Sequence, residues 1–160
     1  MALMSPTTKE RLIDAGLRML LERGYGSLGV QVLLDETGIP KGSFYHHFKD
    51  KEDFALQVID AYIAEVHGVL DACVADQSRA PLQRVRAFFA TVQQKYRQDG
   101  YLGCLMGGLG QELSGTNDRF RAKIDSCFNS IAERLALALE AARLNGDIAP
   151  DCEVRSLADL

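Results

Sequence analysis

Proline, the strongest helix breaker, and cysteine are both scarce in this chain of 160 residues. The four prolines are Pro6, Pro40, Pro81 and Pro150. The four cysteines are Cys73, Cys104, Cys127 and Cys152. Their wide spacing contains no C-x-x-C pair, which argues against a zinc site or a redox motif, so we expect free thiols. The long stretches without proline favour an all-helical protein, for which we expect no metal and no cofactor.

Long apolar runs and an excess of basic charge are lacking as well. No stretch reaches the roughly 18 apolar residues of a membrane span, and the N-terminus has no signal-peptide pattern, so we expect a cytoplasmic protein without membrane contact. The formal net charge of −4 argues against a protein that coats nucleic acid. Residues 1–67 carry seven lysines and arginines against ten acidic residues. The one basic patch in this region comprises Lys41, Lys49, Lys51, His46 and His47.

Helix signals are abundant, and the hydrophobic content of 47% is ample for a core. Thr7 and Glu10 form a capping-box pattern, which predicts a first helix that ends at Gly24. Apolar spacing predicts a short second helix over 30–37, and Pro40 favours the start of a third helix over about 41–47. The N-terminal segment is therefore predicted to be a three-helix unit.

Similar signals continue along the rest of the chain. They predict a long fourth helix from Lys51 with Asp50 as its cap, a fifth from Pro81 to Gly100, a sixth within 103–113, and a seventh from Asn117 to Gly146. Each glycine in the sixth helix costs about 1 kcal/mol, which predicts close packing or room for a ligand there. Residues 153–160 look like the start of an eighth helix that stops abruptly, so we expect a chain truncated at its C-terminus.

The second and third helices, joined by residues 37–40, form a helix-turn-helix pattern, in which the second member enters the major groove. Phe44 and Phe48 stand four residues apart and are expected to face the core, which turns the other side chains of the third helix outward. The expected DNA-binding residues are Gln31, Lys41, Gly42, Ser43, Tyr45, His46, His47 and Lys51, through base edges or phosphates. The alternative is that these residues form an ordinary solvated face.

The run from Gly38 to Glu52, Gly-Ile-Pro-Lys-Gly-Ser-Phe-Tyr-His-His-Phe-Lys-Asp-Lys-Glu, resembles the signature of the TetR family of transcriptional regulators. The resemblance implies a DNA-binding domain over 7–67, with the helix-turn-helix at about 30–49, and a helical regulatory domain over 68–160. It also implies a homodimer on a palindromic double-stranded operator, released when an inducer moves the fourth helix. Gly29 and Pro40 depart from the family's common Ser or Thr. The helices that form the family's dimer interface are expected to be missing.

The Gly-Cys-Leu segment at 103–105 is similar to that of the NemR/AcuR branch of the family, whose members respond to electrophiles, oxidants or acrylate-type compounds. This similarity implies a repressor with Cys104 as a sensor thiol, because a thiolate at a helix start attacks electrophiles. A small packing residue is the alternative role for Cys104. The proposed sensor and pocket residues are Cys104, Met106, Leu109, Phe88, Tyr96 and Phe128, although aromatic stripes are more often core.

Three other functions remain open at this point. An activator with the same DNA-binding helices is one, and a helical adaptor that binds only proteins is another. A cysteine-dependent enzyme is the third, but His46, His47 and His67 all lie far along the chain from Cys104. The glycine-rich segment also lacks the Gly-Lys-Ser/Thr ending of a phosphate loop. We therefore expect a regulator that is not an enzyme.

Overall fold

The computed structural model describes residues 5–100 and 103–159, and over these ranges the chain forms eight helices and no strand. The helices are α1 (Thr8–Arg23), α2 (Val30–Thr37), α3 (Lys41–His47), α4 (Lys51–Ala75), α5 (Pro81–Asp99), α6 (Leu105–Leu113), α7 (Asp118–Leu144) and α8 (Val154–Ala158). The predicted all-helical fold is confirmed, and the helix boundaries lie within a residue or two of the sequence signals. None of the described helices is long and apolar enough to cross a membrane.

Side-chain caps account for where several helices begin. The Thr7 hydroxyl accepts from the Glu10 amide at 3.2 Å, while the Thr7 amide donates to the Glu10 carboxylate at 2.7 Å, so the capping box is formed. The Asp50 carboxylate likewise accepts from the Asp53 amide at 2.8 Å at the start of α4. The Lys49 amide in turn donates to the Asp53 carboxylate and lowers the pKa of that group. Pro40 is the N-cap residue of α3 rather than its first helical residue.

The described residues divide into two compact units, and the first unit consists of residues 5–62 and 103–120. Here α1 packs against α2 and α3. The core of this unit contains three fully buried phenylalanines, whose ring centroids lie 4.8 to 5.3 Å apart, namely Phe44, Phe48 and Phe54. Gly16 lies so close to the ring of Phe54 that a Cβ there would approach it to 2.4 Å. The close packing of α1 on α4 therefore requires a glycine at this position.

The second unit consists of residues 63–100 and 121–159. Its core is the buried cluster of Leu70, Phe88 and Leu135, surrounded by partly buried valines and by Ile131. Ion pairs join its helices on the outside: Lys95 pairs with Glu65, and Arg134 pairs with Asp71 at 2.7 Å. Salt bridges this exposed contribute little to stability, so the apolar cluster supplies most of the cohesion of this unit.

Candidate DNA interface and sensor helix

Helix α3 presents two different faces. Phe44 and Phe48 are buried, and their inward direction turns the intervening side chains outward, as the spacing predicted. Lys41, Gly42, Tyr45 and His46 are exposed, and Ser43 and His47 are half-buried. The outward face of α3 is therefore rich in groups that donate hydrogen bonds to base edges or phosphates.

The turn between α2 and α3 is held by hydrogen bonds within the first unit. Gly38 ends α2 in the left-handed region with φ of +65°, and its amide donates to the Leu34 carbonyl. The Arg11 guanidinium of α1 donates to the Thr37 carbonyl at 2.9 Å, so α1 holds the C-terminus of α2. The Pro40 carbonyl accepts from the Ser43 amide at 2.9 Å and begins α3. These bonds fix the angle at which α3 leaves α2.

The structure shows which groups surround three of the DNA-binding candidates, Gln31, Lys41 and Gly42. Gln31 is exposed on α2, and its amide donates to Asp35 at 2.8 Å. The ammonium of Lys41 lies 5.9 Å from the ring centroid of Tyr45, which keeps both groups on the outer face of α3. A Cβ added at Gly42 would meet no atom within 4 Å, so nothing within the protein requires a glycine there.

Lys51 lies at the start of α4, apart from the face of α3. Its ammonium lies 4.4 Å from the ring centroid of Tyr25, in the turn that follows α1. Burial raises the pKa of Tyr25, and the carboxylates of Glu52, Asp50 and Glu112 raise it further. The positive charge of Lys51 therefore lies among acidic groups, which reduces its attraction for a phosphate.

Cys104 is the N-cap residue of α6, and it is exposed. Its sulfur lies 3.9 Å from the hydroxyl of Tyr62, a nearly buried residue of α4. Cys104 is thus open to solvent, while its sulfur lies within weak hydrogen-bonding distance of a side chain of the long helix.

The six proposed sensor and pocket residues divide between the two units. Cys104, Met106 and Leu109 belong to the first unit, and the last two are buried on the inner face of α6. In the second unit, Phe88 belongs to the buried core cluster, Tyr96 is half-buried, and Phe128 is 47% exposed. Their role as pocket residues stays a prediction.

The glycines of α6 do not serve close packing where their surroundings are described. A Cβ at Gly107 would lie 3.9 Å from the Cβ of Cys104, and one at Gly108 would meet no atom within 4 Å. The prediction of close packing is therefore wrong at these two positions, and the alternative of room for a ligand stays a prediction. Their effect on α6 is to lower its helix propensity.

Sequence reasoning missed a group of polar contacts at the other end of α6. The Glu112 carboxylate accepts from the amides of Tyr25 and Gly26 at 2.8 and 2.5 Å. Glu52 of α4 binds Arg119 at 2.6 Å and Asn117 at 3.0 Å. These partners stand 65 to 87 residues apart in sequence, so no local pattern identifies them.

A helix-turn-helix whose second member presents a donor-rich outer face is typical of DNA-binding proteins, and the comparisons with known proteins agree. The family model described as "Bacterial regulatory proteins, tetR family" matches residues 12–58. The model described as "Tetracyclin repressor-like, C-terminal domain" matches residues 81–160. The chain belongs to the TetR family of transcriptional regulators, which are not enzymes.

Curated relatives extend this similarity over most of the chain. The transcriptional regulator AcuR of Cereibacter sphaeroides is 38% identical over 94% of this chain and 69% of its own length. The transcriptional repressor DhaR of Mycobacterium sp. strain GP1 is 31% identical over 89% of this chain and 73% of its own. The transcriptional repressor NemR of Escherichia coli K12 is 30% identical over 86% of this chain and 70% of its own.

Solved structures agree with the sequence relatives. The regulatory protein TetR from Rhodobacter sphaeroides superposes with a TM-score of 0.88 at 39% identity, covering 93% of this chain and 79% of that one. The reduced form of Escherichia coli NemR gives a TM-score of 0.84 at 29% identity, covering 94% of this chain and 79% of that one. The predicted resemblance to the NemR/AcuR branch is confirmed.

Proposed function

We propose that this regulator is a cytoplasmic repressor that binds a palindromic operator as a homodimer and leaves it when Cys104 reacts with an electrophile or oxidant. Residues 7–67 act as the DNA-binding domain, with the helix-turn-helix at about 30–49, and residues 68–160 act as the regulatory domain. The observation that carries the proposal is the accessible Cys104 thiol, 3.9 Å from the Tyr62 hydroxyl of α4. The names of DhaR and NemR as repressors support the direction of control.

In this proposal α3 reads the operator. Lys41, Ser43, Tyr45, His46 and His47 donate to base edges and phosphates, while Gly42 allows the helix backbone to approach the DNA. Gln31 and Lys51 contact the flanking phosphates, and Gln31 exchanges its bond to Asp35 for this contact. Residues 7–67, the DNA-binding head, carry seven lysines and arginines against ten acidic residues, so the attraction for phosphates has to come from local groups on and beside α3.

The signal in this proposal is a covalent addition. The Cys104 sulfur attacks the β-carbon of an α,β-unsaturated carbonyl compound, a carbon–sulfur bond forms, and the thiol proton ends on the α-carbon. Nothing leaves and no electron acceptor is needed. The adduct displaces Tyr62, and α4 carries that displacement to the head.

The test is the fluorescence anisotropy of labelled DNA from upstream of the protein's own gene, titrated before and after treatment with acrolein. Untreated protein is expected to bind with a dissociation constant of about 10⁻⁸ M or tighter, with an affinity that falls steeply as salt rises. Treatment is expected to weaken binding at least tenfold. Cys104→Ser protein should keep its affinity after treatment, whereas the control Cys152→Ser should respond as the wild type does.

Several outcomes would contradict parts of the proposal. Binding that treatment leaves unchanged would move the signal to a noncovalent ligand near Met106 and Leu109. No salt-dependent DNA binding would favour the protein adaptor. An operator upstream of the promoter that increases transcription in vitro would identify an activator.

The role of α3 is tested with Gly42→Ala. The added methyl group meets nothing within the protein, so folding should be unaffected, but it projects where the DNA backbone approaches. We expect operator affinity to fall about tenfold, which corresponds to about 1.4 kcal/mol. Gly68→Ala on α4, which also meets nothing within 4 Å, is the matched control and should bind as the wild type does. Equal operator affinities for the two variants would show that the outer face of α3 does not contact the DNA closely at Gly42.

A further inference from the structure

The carboxylate of Glu112, in the last turn of α6, is seated in the turn that follows α1. One oxygen accepts from the Tyr25 amide at 2.8 Å and the other accepts from the Gly26 amide at 2.5 Å. All three residues belong to the first compact unit, so this contact lies inside the body that contains the DNA-binding helices. Helix α6 is thus bonded to the head at the end opposite Cys104.

The carboxylate lies in space that side chains at Gly24 and Gly26 would occupy. A Cβ at Gly24 would lie 2.7 Å from the Glu112 oxygen, and one at Gly26 would lie 3.1 Å from the other. Gly24 has φ of +72°, a conformation that favours glycine in any case. The turn thus combines two converging amide donors with glycines that let the acceptor approach.

The position is electrostatically unusual for a carboxylate. The C-terminus of a helix carries a partial negative charge, which favours a cation, and Arg23 of α1 fits that expectation. A carboxylate held at the same end has to be stabilised by something else. The two amide hydrogen bonds to Glu112 provide that stabilisation, because bonds to a charged acceptor are stronger than neutral ones.

The same turn leads directly into the helix-turn-helix. The Leu28 amide donates to the Tyr25 carbonyl at 3.1 Å, and α2 begins two residues later. The ring of Tyr25 packs against Phe120 with centroids 5.0 Å apart. Only three residues therefore separate Gly26 from the start of α2, and α2 is joined to α3 by residues 37–40.

We propose that Glu112 is a positioning residue for DNA binding: its carboxylate fastens α6 to the α1–α2 turn, so that the conformation of α6 sets the pose of α2 and α3. The inference rests on the proposed function, because it needs a head that binds an operator. It adds a second route by which a change at Cys104 reaches the DNA-binding helices. This route runs along α6 to Glu112 at its C-terminal end, instead of through Tyr62 and α4.

The test compares Glu112→Gln with the control Gln111→Ala, an exposed neighbour on the same helix. The glutamine side chain keeps one acceptor oxygen but places an amide group that cannot accept against the second N–H. We expect operator affinity to fall about tenfold with an unchanged salt slope, because the phosphate contacts remain. Hydrogen exchange at the amides of Tyr25 and Gly26, measured without DNA, should speed up severalfold. The control should match the wild type in both measurements.

A third measurement separates positioning from mere stability. After acrolein treatment the mass gain at Cys104 should be equal in the wild type and in Glu112→Gln, while the ratio of treated to untreated dissociation constants should fall toward one in the variant. Gly26→Ala approaches the same contact from the head, because its Cβ crowds the carboxylate. This variant should change the operator affinity and the amide exchange in the same direction, by a smaller factor.

The inference and the proposed function fail in different ways. Wild-type affinity that acrolein leaves unchanged would overturn the Cys104 signal, while the affinity and exchange of untreated Glu112→Gln would still decide the role of Glu112. Exchange at Tyr25 and Gly26 equal to that of the wild type would overturn the inference even if no operator were found. Accelerated exchange with unchanged operator affinity would also overturn it, since the contact would then be structural only.

Discussion

The two compact units differ in how completely they bury their apolar side chains. The first unit buries three phenylalanine rings against one another, and its exposed large apolar residues, Val32 and Tyr45, lie on the helix-turn-helix itself. The second unit has a smaller core around Phe88 and exposes much more apolar surface. Its exposed large apolar residues are Phe89, Phe128, Leu137, Leu144 and Leu157. The first unit thus has a well-closed apolar core. The second presents apolar surface of the kind that contacts other molecules.

The largest expected effect contrasts a buried ring of the first unit with an exposed ring of the second. Phe44→Ala removes a ring with 0% exposure and should lower the free energy of unfolding by about 3–5 kcal/mol. Phe89→Ala removes a ring that is 55% exposed and should cost less than about 1 kcal/mol. Urea unfolding followed by circular dichroism measures both changes. Equal losses would show that the second unit buries its aromatic side chains as deeply as the first.

A smaller effect concerns α6, which belongs to the first unit but contains helix-weakening glycines. Gly108→Ala places a methyl group in open space and should stabilise α6 by about 0.5–1 kcal/mol. The contrasting change is Gly100→Ala at the end of α5, where φ of +73° makes alanine destabilising by a similar amount or more. Hydrogen exchange of the α6 amides should slow in the first variant only. Unchanged exchange there would mean that tertiary contacts, and not helix propensity, limit the opening of α6.

The smallest effect depends on pH and lies in the second unit. Burial lowers the pKa of His67 below its ordinary value near 6.5, and the charge of Arg134 lowers it further. The unfolded chain therefore binds this proton more readily, so the free energy of unfolding falls as pH drops below about 6.5 and levels off below the folded pKa. His67→Gln keeps a partner for Ser130, which lies 3.0 Å from the ring nitrogen, but removes the titration. Between pH 7.5 and 5.5 the urea midpoint of this variant should fall by less than the midpoint of the wild type. Equal falls in the two midpoints would contradict the prediction.

Most helix boundaries could be predicted because their causes are local. The capping box of Thr7 and Glu10, the cap of Asp50 and the left-handed Gly38 each act within four residues along the chain. The outward face of α3 follows from the same kind of spacing, since burying Phe44 and Phe48 leaves the other side chains outside. The need for glycine at position 16 has no local cause, because the ring of Phe54 that requires it comes from another helix.

Local signals are enough to predict the eight helices, the donor-rich face of α3 and the place of Cys104 at the start of α6, because capping and periodicity act between neighbouring residues. The pairing of carboxylates with distant amides and cations depends on the packing of the helices. Glu112 reaches Tyr25 across 87 residues, and Glu52 reaches Arg119 across 67. Such pairs depend on how whole helices pack, and an exposed glutamate has the same local signature whether it is solvated or bonded to a distant turn.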